Sequence, residues 1–171
     1  MANTNLSEHT VSILVYNKPG VLSKVMSLIT RRGFNVESVS AEKTSGDKTR
    51  IIVAVKADER SLEQIQKQLY KIVDVVKVTP IDPKHRIVRE LAFIKVKNAT
   101  AIPNTSNMEL FQLVDVFDGE IVNATPSGFV FQVTGSRDKI NSFISLIPET
   151  LIVEIARTGI VAINKWPSQD N

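Results

Sequence analysis

No cysteine occurs among the 171 residues, so disulfides and thiolate metal sites are excluded. Histidine is almost as scarce. His9 and His85 stand alone, with no second histidine and no acidic pair at metal-ligand spacing, and both read as solvent-exposed. The seven glycines form no dinucleotide fingerprint, no phosphate-binding loop and no G-x-S-x-G elbow. No apolar run reaches the ~18 residues of a membrane span. Met1 to Glu8 are polar, with neither an apolar h-region nor an arginine-rich amphipathic stretch, so no secretory or organellar leader is expected. These absences point to a cytoplasmic chain that meets no membrane.

A dominant charge is missing too. Lys plus Arg is 21 and Asp plus Glu is 18, a net charge of +3. Up to Asp82 there are twelve basic and nine acidic residues, and from Pro83 onward nine of each. Such interspersed signs describe an ordinary solvated surface, not a nucleic-acid footprint. An RNA-binding sheet would also need stacking aromatics, and Arg50–Val55 has none. Asp115 and Asp118, three apart, read as a solvated helix face. An enzyme would need a dispersed active site, because no catalytic constellation is visible.

What is present is apolar periodicity. Hydrophobic residues make up 43% of the chain, enough for a folded core. A chain of 171 residues makes one ordinary domain or two small ones. Two small domains would each have a thin core, needing a neighbour or a second copy of the chain.

The pattern fits two small domains. Thr10–Tyr16 alternates as a strand, and Asn17-Lys18-Pro19-Gly20 is a loop. A helix to Arg32 follows, with Val21, Leu22, Val25, Leu28 and Ile29 on one face and Pro19 suited to its first turn. Gly33 suits its end. Strands are expected over Asn35–Glu42 and Arg50–Val55, joined by Thr44-Ser45-Gly46-Asp47. A second helix starts near Ser61, where Ser61 and Gln64 have capping-box spacing, and its apolar face is Leu62, Ile65, Leu69 and Ile72. A last strand covers Val75–Thr79. Pro80-Ile81-Asp82-Pro83 does not continue a strand easily, which divides the chain into domains 1–80 and 81–171.

The second domain repeats the layout without clear sequence identity. Its strands are expected over Ile87–Lys97, Glu120–Thr125, Phe129–Thr134 and Ile152–Ala156. One helix is capped by Ser106 with Glu109 and ended by Asp118-Gly119; another starts at Ser136 and is stopped by Pro148. Ile160–Ile163 adds an apolar tail. The fold class is α+β, with two ferredoxin-like βαββαβ domains.

One segment has chemical promise. At Asn17–Leu22 a strand ends, a glycine permits close approach, and a helix begins with free N–H groups that favour a carboxylate. Asn17 and Asn35 supply amides that both donate and accept, suited to the two ends of an amino-acid zwitterion. The same residues also read simply as a cap, a turn and a loop.

Asn17-Lys18-Pro19-Gly20-Val21-Leu22, followed by Arg31-Arg32-Gly33-Phe34-Asn35-Val36-Glu37-Ser38, resembles the ACT-domain motif of acetolactate synthase regulatory subunits. Leu62–Val78, Val88-Arg89-Glu90-Leu91 and Val153–Val161 resemble the same family, so the similarity runs from His9 to Ile163. The Pro-Gly motif alone is shared by many ACT domains; the full ordered set is specific. The loop Asn98–Asn107 is longer than the family's.

The resemblance implies that the first domain is an ACT domain and that the chain is a non-catalytic regulatory subunit in branched-chain amino acid biosynthesis. It implies a homodimer that binds valine, with leucine and isoleucine as alternatives, at the dimer interface. It further implies activation and feedback inhibition of a separate catalytic subunit. That partner would hold thiamine diphosphate, magnesium and FAD, and this chain no cofactor. Carried over, the effector site is Asn17, Gly20, Val21 and Leu22 from one chain, with Asn35 and Val36 from across the interface. The alternative is an ACT-type amino-acid sensor serving another enzyme or a transcription regulator.

Overall fold

The computed structural model describes residues 7–99 and 106–166. Most of the polar N-terminal stretch, and all of the longer loop except Asn98, Ala99, Ser106 and Asn107 (its two ends), fall outside those residues. Contacts divide the chain into two units: residues up to Ile87 together with those from Ile160, and Val88–Gly159.

The first unit contains strand β1 (Ser7–Tyr16), helix α1 (Val21–Arg31), strands β2 (Asn35–Lys43) and β3 (Lys48–Ala57), helix α2 (Glu59–Leu69) and strand β4 (Val75–Ile81). Its sheet has the order β2-β3-β1-β4, antiparallel throughout, the expected ferredoxin-like arrangement. Alternation along β1 turns Val11, Ile13 and Val15 inward against Val25 and Ile29 of α1 and Ile65 and Leu69 of α2. Pro80 lies within β4, so this strand runs past the expected Thr79. It can do so because β4 is an edge strand, where a missing N–H need not interrupt the ladder.

The cap of α2 also differs from expectation. Asp58, not Ser61, is the N-cap, and its carboxylate accepts the Ser61 N–H at 2.7 Å. Pro19 precedes α1 instead of entering its first turn.

The outward face of this sheet is covered. Thr10, Ile52 and Ala54 are buried although they point away from both helices. The segment from Ile160 lies on that face: Ser40 Oγ donates to Ile160 C=O at 3.1 Å, and Ile160 N–H donates to Ser38 Oγ at 3.4 Å. Ile160 and Ala162 are correspondingly buried. The apolar tail of the sequence is therefore part of the first unit.

The second unit repeats the plan with strand β5 (Arg86–Lys97, whose first two residues belong to the first unit), helix α3 (Asn107–Val116), strands β6 (Glu120–Thr125) and β7 (Gly128–Gly135), helix α4 (Arg137–Leu146) and strand β8 (Ile152–Arg157). The order is β6-β7-β5-β8. The short strand β9 (Val161–Asn164) belongs to the first unit, where Lys165 N–H reaches His85 C=O at 2.7 Å. Ser106 and Ser136 cap their helices as expected, accepting the N–H groups of Met108 and Lys139. The core joins Ile94, Phe131, Val133, Ile140 and Phe143, with the Phe131 and Phe143 rings edge to face at 6.3 Å.

Two regions of the family motif acquire a structural reason. Glu90 is buried and receives Arg157 Nε at 3.0 Å and Nη2 at 2.8 Å, a two-pronged pair that ties β5 to β8. Next to it, Thr158 N–H donates to Leu91 C=O at 3.1 Å.

Candidate functional site

The Asn17–Gly20 loop leaves β1 and enters α1 through Gly20, which has φ +78° and caps the helix without a side chain. An L-residue is disfavoured in that backbone state, and glycine also leaves the helix end open, with nothing within 4 Å of a notional Cβ. Val21 N–H is used by Lys18 C=O at 3.2 Å and Lys24 N–H by Gly20 C=O at 3.0 Å. Leu22 and Ser23 N–H have no intrahelical acceptor, and such N-terminal donors favour an anion.

The loop is held at its strand end by two backbone bonds. Tyr16 N–H donates to Asp74 C=O at 2.9 Å, and Asn17 N–H donates to Asp47 C=O at 2.7 Å. Asn17 is exposed, and its side chain carries no hydrogen bond among the described residues. Leu22 is 41% exposed, an apolar side chain left at the helix start.

Val21 lies on the core side of the apolar helix face. It is 5% exposed and belongs to the core, so its side chain offers no wall to a ligand, and its N–H is already engaged by Lys18. Val36 is half-buried and packs partly on the same core. Asn35 begins β2 and donates through Nδ2 to Glu37 Oε1 at 2.7 Å. A bulge at Glu37, between Val36 and Ser38, breaks the β2–β3 register just there.

Within one chain the two amides are not brought together. Tyr16, next to Asn17, pairs with Lys48 of β3, whereas Asn35 pairs with Lys56. Eight residues of strand at about 3.3 Å each put Asn17 and Asn35 about 26 Å apart, at opposite ends of the sheet.

Asp74 is a residue that sequence reasoning missed. Its side chain is buried, and it receives Lys18 Nζ at 2.9 Å and Lys24 Nζ at 3.2 Å. The hydrogen bond from Lys18, then that from Lys24, holds this carboxyl below the usual aspartate value, while the same bond raises Lys18 above the usual lysine value. Residues separated by 56 positions leave no local signal of such a contact. Among the described residues no three His, Asp or Glu side chains are grouped to hold a metal, and no helix is long and apolar enough to cross a membrane.

A split-βαβ sheet, an Asn-Lys-Pro-Gly loop opening onto a helix N-terminus, and a second unit of the same plan define a tandem ferredoxin-like protein of the ACT type. Comparison with known proteins narrows this. Residues 11–77 match the acetolactate synthase (AHAS) small subunit-like ACT domain, and residues 89–166 match the small subunit of acetolactate synthase. The chain is 39% identical over 158 residues to a probable acetolactate synthase small subunit of Methanothermobacter thermautotrophicus, covering 92% of each. It is 36% identical over 160 residues to the acetolactate synthase small subunit of Mycobacterium bovis, covering 93% of each. The crystal structure of the acetolactate synthase small subunit from Thermotoga maritima superposes with a TM-score of 0.86 at 46% identity, covering 94% of this chain and 99% of that one. The chain belongs to the acetolactate synthase small subunit family, with a regulatory ACT domain in its first unit, and the family implies a catalytic subunit as partner.

Proposed function

We propose that this chain works in the cytoplasm as a homodimer that senses valine, activates the catalytic subunit of acetolactate synthase and makes it sensitive to feedback inhibition in branched-chain amino acid biosynthesis. The observation that carries the reading is the separation of Asn17 and Asn35 along the sheet. One chain alone cannot use both on one small ligand. Strand β2 is an edge strand, the position at which a sheet can pair with another chain. Antiparallel pairing of two β2 strands about a two-fold axis brings the Asn35 end of one beside the Lys43 end of the other. Lys43 pairs with Thr49, which pairs with Val15, so that end of the sheet carries Asn17 and Gly20.

In this dimer the ligand carboxylate meets the Leu22 and Ser23 N–H groups, and Asn17 with the partner subunit's Asn35 takes the polar remainder. Leu22 and the partner's Val36 flank the isopropyl group, whose burial is worth roughly 1.5–3 kcal/mol. One methylene separates valine from leucine and isoleucine and gives only about 1–3 kcal/mol of discrimination, so both should also bind. The chain contributes no cofactor and no reacting group. Thiamine diphosphate, magnesium and FAD belong to the catalytic partner.

The test is a titration. The purified chain alone should form no acetolactate. Added to the catalytic subunit it should raise turnover, and valine should then lower it. A catalytic rate that never responds to the chain removes the activating role. Calorimetry showing no heat with valine, leucine or isoleucine at millimolar concentration removes the effector site.

A further inference from the structure

We propose that Asp74 is a positioning residue for the effector loop, its buried carboxylate fixing, through Lys18, the conformation of Asn17–Gly20 that receives a ligand carboxylate. This rests on the effector reading above and adds a residue to it. Asp74 lies between α2 and β4, on neither element of the loop itself. It is 6% exposed, yet both of its oxygens are engaged, one by each lysine.

The loop's anchors are unevenly distributed. Tyr16 and Asn17 are tied by backbone bonds to Asp74 and Asp47. Lys18 N–H turns back onto Tyr16 C=O at 2.9 Å, at the end of β1; among the described residues the side-chain tie of residues 18–20 to an element that is not their chain neighbour is Lys18 Nζ to Asp74 at 2.9 Å. The Asp74 contact links the middle of the turn to a distant part of the chain, two residues before Gly20, whose backbone is the most permissive. Lys24, one turn into α1, brings the start of the helix to the same carboxylate at 3.2 Å. Loop and helix N-terminus are thus registered on one buried group, and a charge-assisted bond holds geometry better than a neutral one.

Positioning and plain electrostatics predict opposite signs. Neutralising Asp74 releases two ammonium groups beside a helix N-terminus, which by charge alone would attract an anionic ligand more strongly. If position dominates, the binding-competent fraction of the loop falls and apparent affinity falls with it. A competent fraction reduced to about one tenth weakens binding about tenfold.

The experiment is calorimetry of L-valine on the full-length protein, with global stability followed separately by denaturant unfolding. Asp74→Asn keeps the backbone bond to Tyr16, removes the charge and turns one of the two acceptor oxygens into an NH2 donor, so that the amide cannot hold both lysines. Expected are about tenfold weaker binding for Asp74→Asn and for Lys18→Met, no more than that for the double variant, and recovery to within about twofold for Lys18→Arg. Shared, non-additive loss is the mark of one interaction removed twice. Unchanged or tighter binding in Asp74→Asn overturns the proposal, as does a double variant whose losses multiply. If Asp74→Asn does not fold, Lys18→Met decides alone, since Lys18 is exposed: unchanged affinity overturns the proposal and weakened affinity supports it. If Asn17→Ala and Gly20→Asp also leave valine binding untouched, the effector reading has failed, and not merely the role of Asp74.

Discussion

Asn17 and Asn98 occupy the same place in the two units. Each follows the central strand, and each donates its backbone N–H to the tip of the neighbouring hairpin, Asn17 to Asp47 at 2.7 Å and Asn98 to Ser127 at 3.0 Å. The correspondence extends to irregularities. The edge strands β2 and β6 each carry a bulge at their third residue, Glu37 and Val122. The opposite edge strands carry one as well, at Val76 of β4 and Val153 of β8. Shared bulges at matching positions mark a duplicated structure more firmly than element order alone. The two asparagines differ in their side chains. Asn98 donates to Pro126 C=O at 3.1 Å and accepts from Asn107 at 2.9 Å, so its amide is committed to the fold.

Alanine at these two positions should therefore have different consequences. Asn17→Ala should weaken valine binding and leave stability within ~0.5 kcal/mol, as expected for an exposed side chain. Asn98→Ala should leave valine affinity unchanged and destabilise the second unit by about 1–2 kcal/mol through lost hydrogen bonds. Calorimetry and denaturant unfolding on both variants check the crossover.

Gly20→Asp should yield a subunit that still stimulates the catalytic partner but resists valine. The space around Gly20 is open, so the fold survives, although φ +78° costs an L-residue about 1–2 kcal/mol. The new carboxylate competes for the same helix donors and repels the ligand's own by roughly 4 kcal/mol at ~4 Å and an effective dielectric of 20. That corresponds to about a thousandfold in affinity. The check is valine inhibition of the reconstituted enzyme. Inhibition as strong as the parent's places the effector elsewhere, and joint loss of stimulation and inhibition in a folded variant shows the two are not separable.

The strands and helices were legible because each obeys one period. Ser106 and Ser136 could be read as caps because a serine stands directly before a periodic apolar run. The cap Asp58 is masked in the sequence by Ser61, which has capping-box spacing with Gln64 but in the fold donates its N–H to the Asp58 carboxylate. Candidate site residues could be named from the Asn-Lys-Pro-Gly loop, but not their placement. Helical period puts Val21 and Leu22 on one apolar face, and only packing shows that one is buried and the other exposed. The separation of about 26 Å between Asn17 and Asn35 follows from sheet order and register, and the Asp74 clamp and the return of Ile160 to the first unit join residues 56 and 120 positions apart. Neither contact has a local pattern to betray it.

The return of the tail makes its own prediction. Ile160 is 2% exposed, with its backbone bound to Ser38 and Ser40 of β2. Ile160→Ala should destabilise the first unit by about 2–5 kcal/mol, the range for a buried isoleucine truncated in place. Hydrogen exchange should show the loss in β2 and β3, not in β6 and β7. Faster exchange confined to β6 and β7 would contradict the assignment of the tail to the first unit.

The last prediction concerns pH. In the folded chain the hydrogen bond from Lys18, then that from Lys24, lowers the Asp74 pKa below 3.8, and partial desolvation opposes them without reversing the sign. A carboxyl whose folded pKa lies below its unfolded value binds fewer protons when folded. Its contribution to stability is therefore complete above about pH 5 and declines as pH falls through 3.8 to the folded value. At the alkaline end, the pKa of Lys18 is raised above 10.5, so its contribution is complete below that value and is lost as pH rises through the raised one. Both ends report one ion pair and must not be counted twice. Asp58 and Asp82 are also lowered, by the Ser61 N–H and by His85, so the acid limb of the parent is not due to Asp74 alone. The measurement is consequently a difference: denaturant midpoints of the parent minus those of Asp74→Asn across pH. That difference should be flat between about pH 5 and 9, favour the parent, and shrink below pH 3.8 and above pH 10.5. A difference that persists unchanged at pH 2 would mean the carboxylate charge is not what holds the loop.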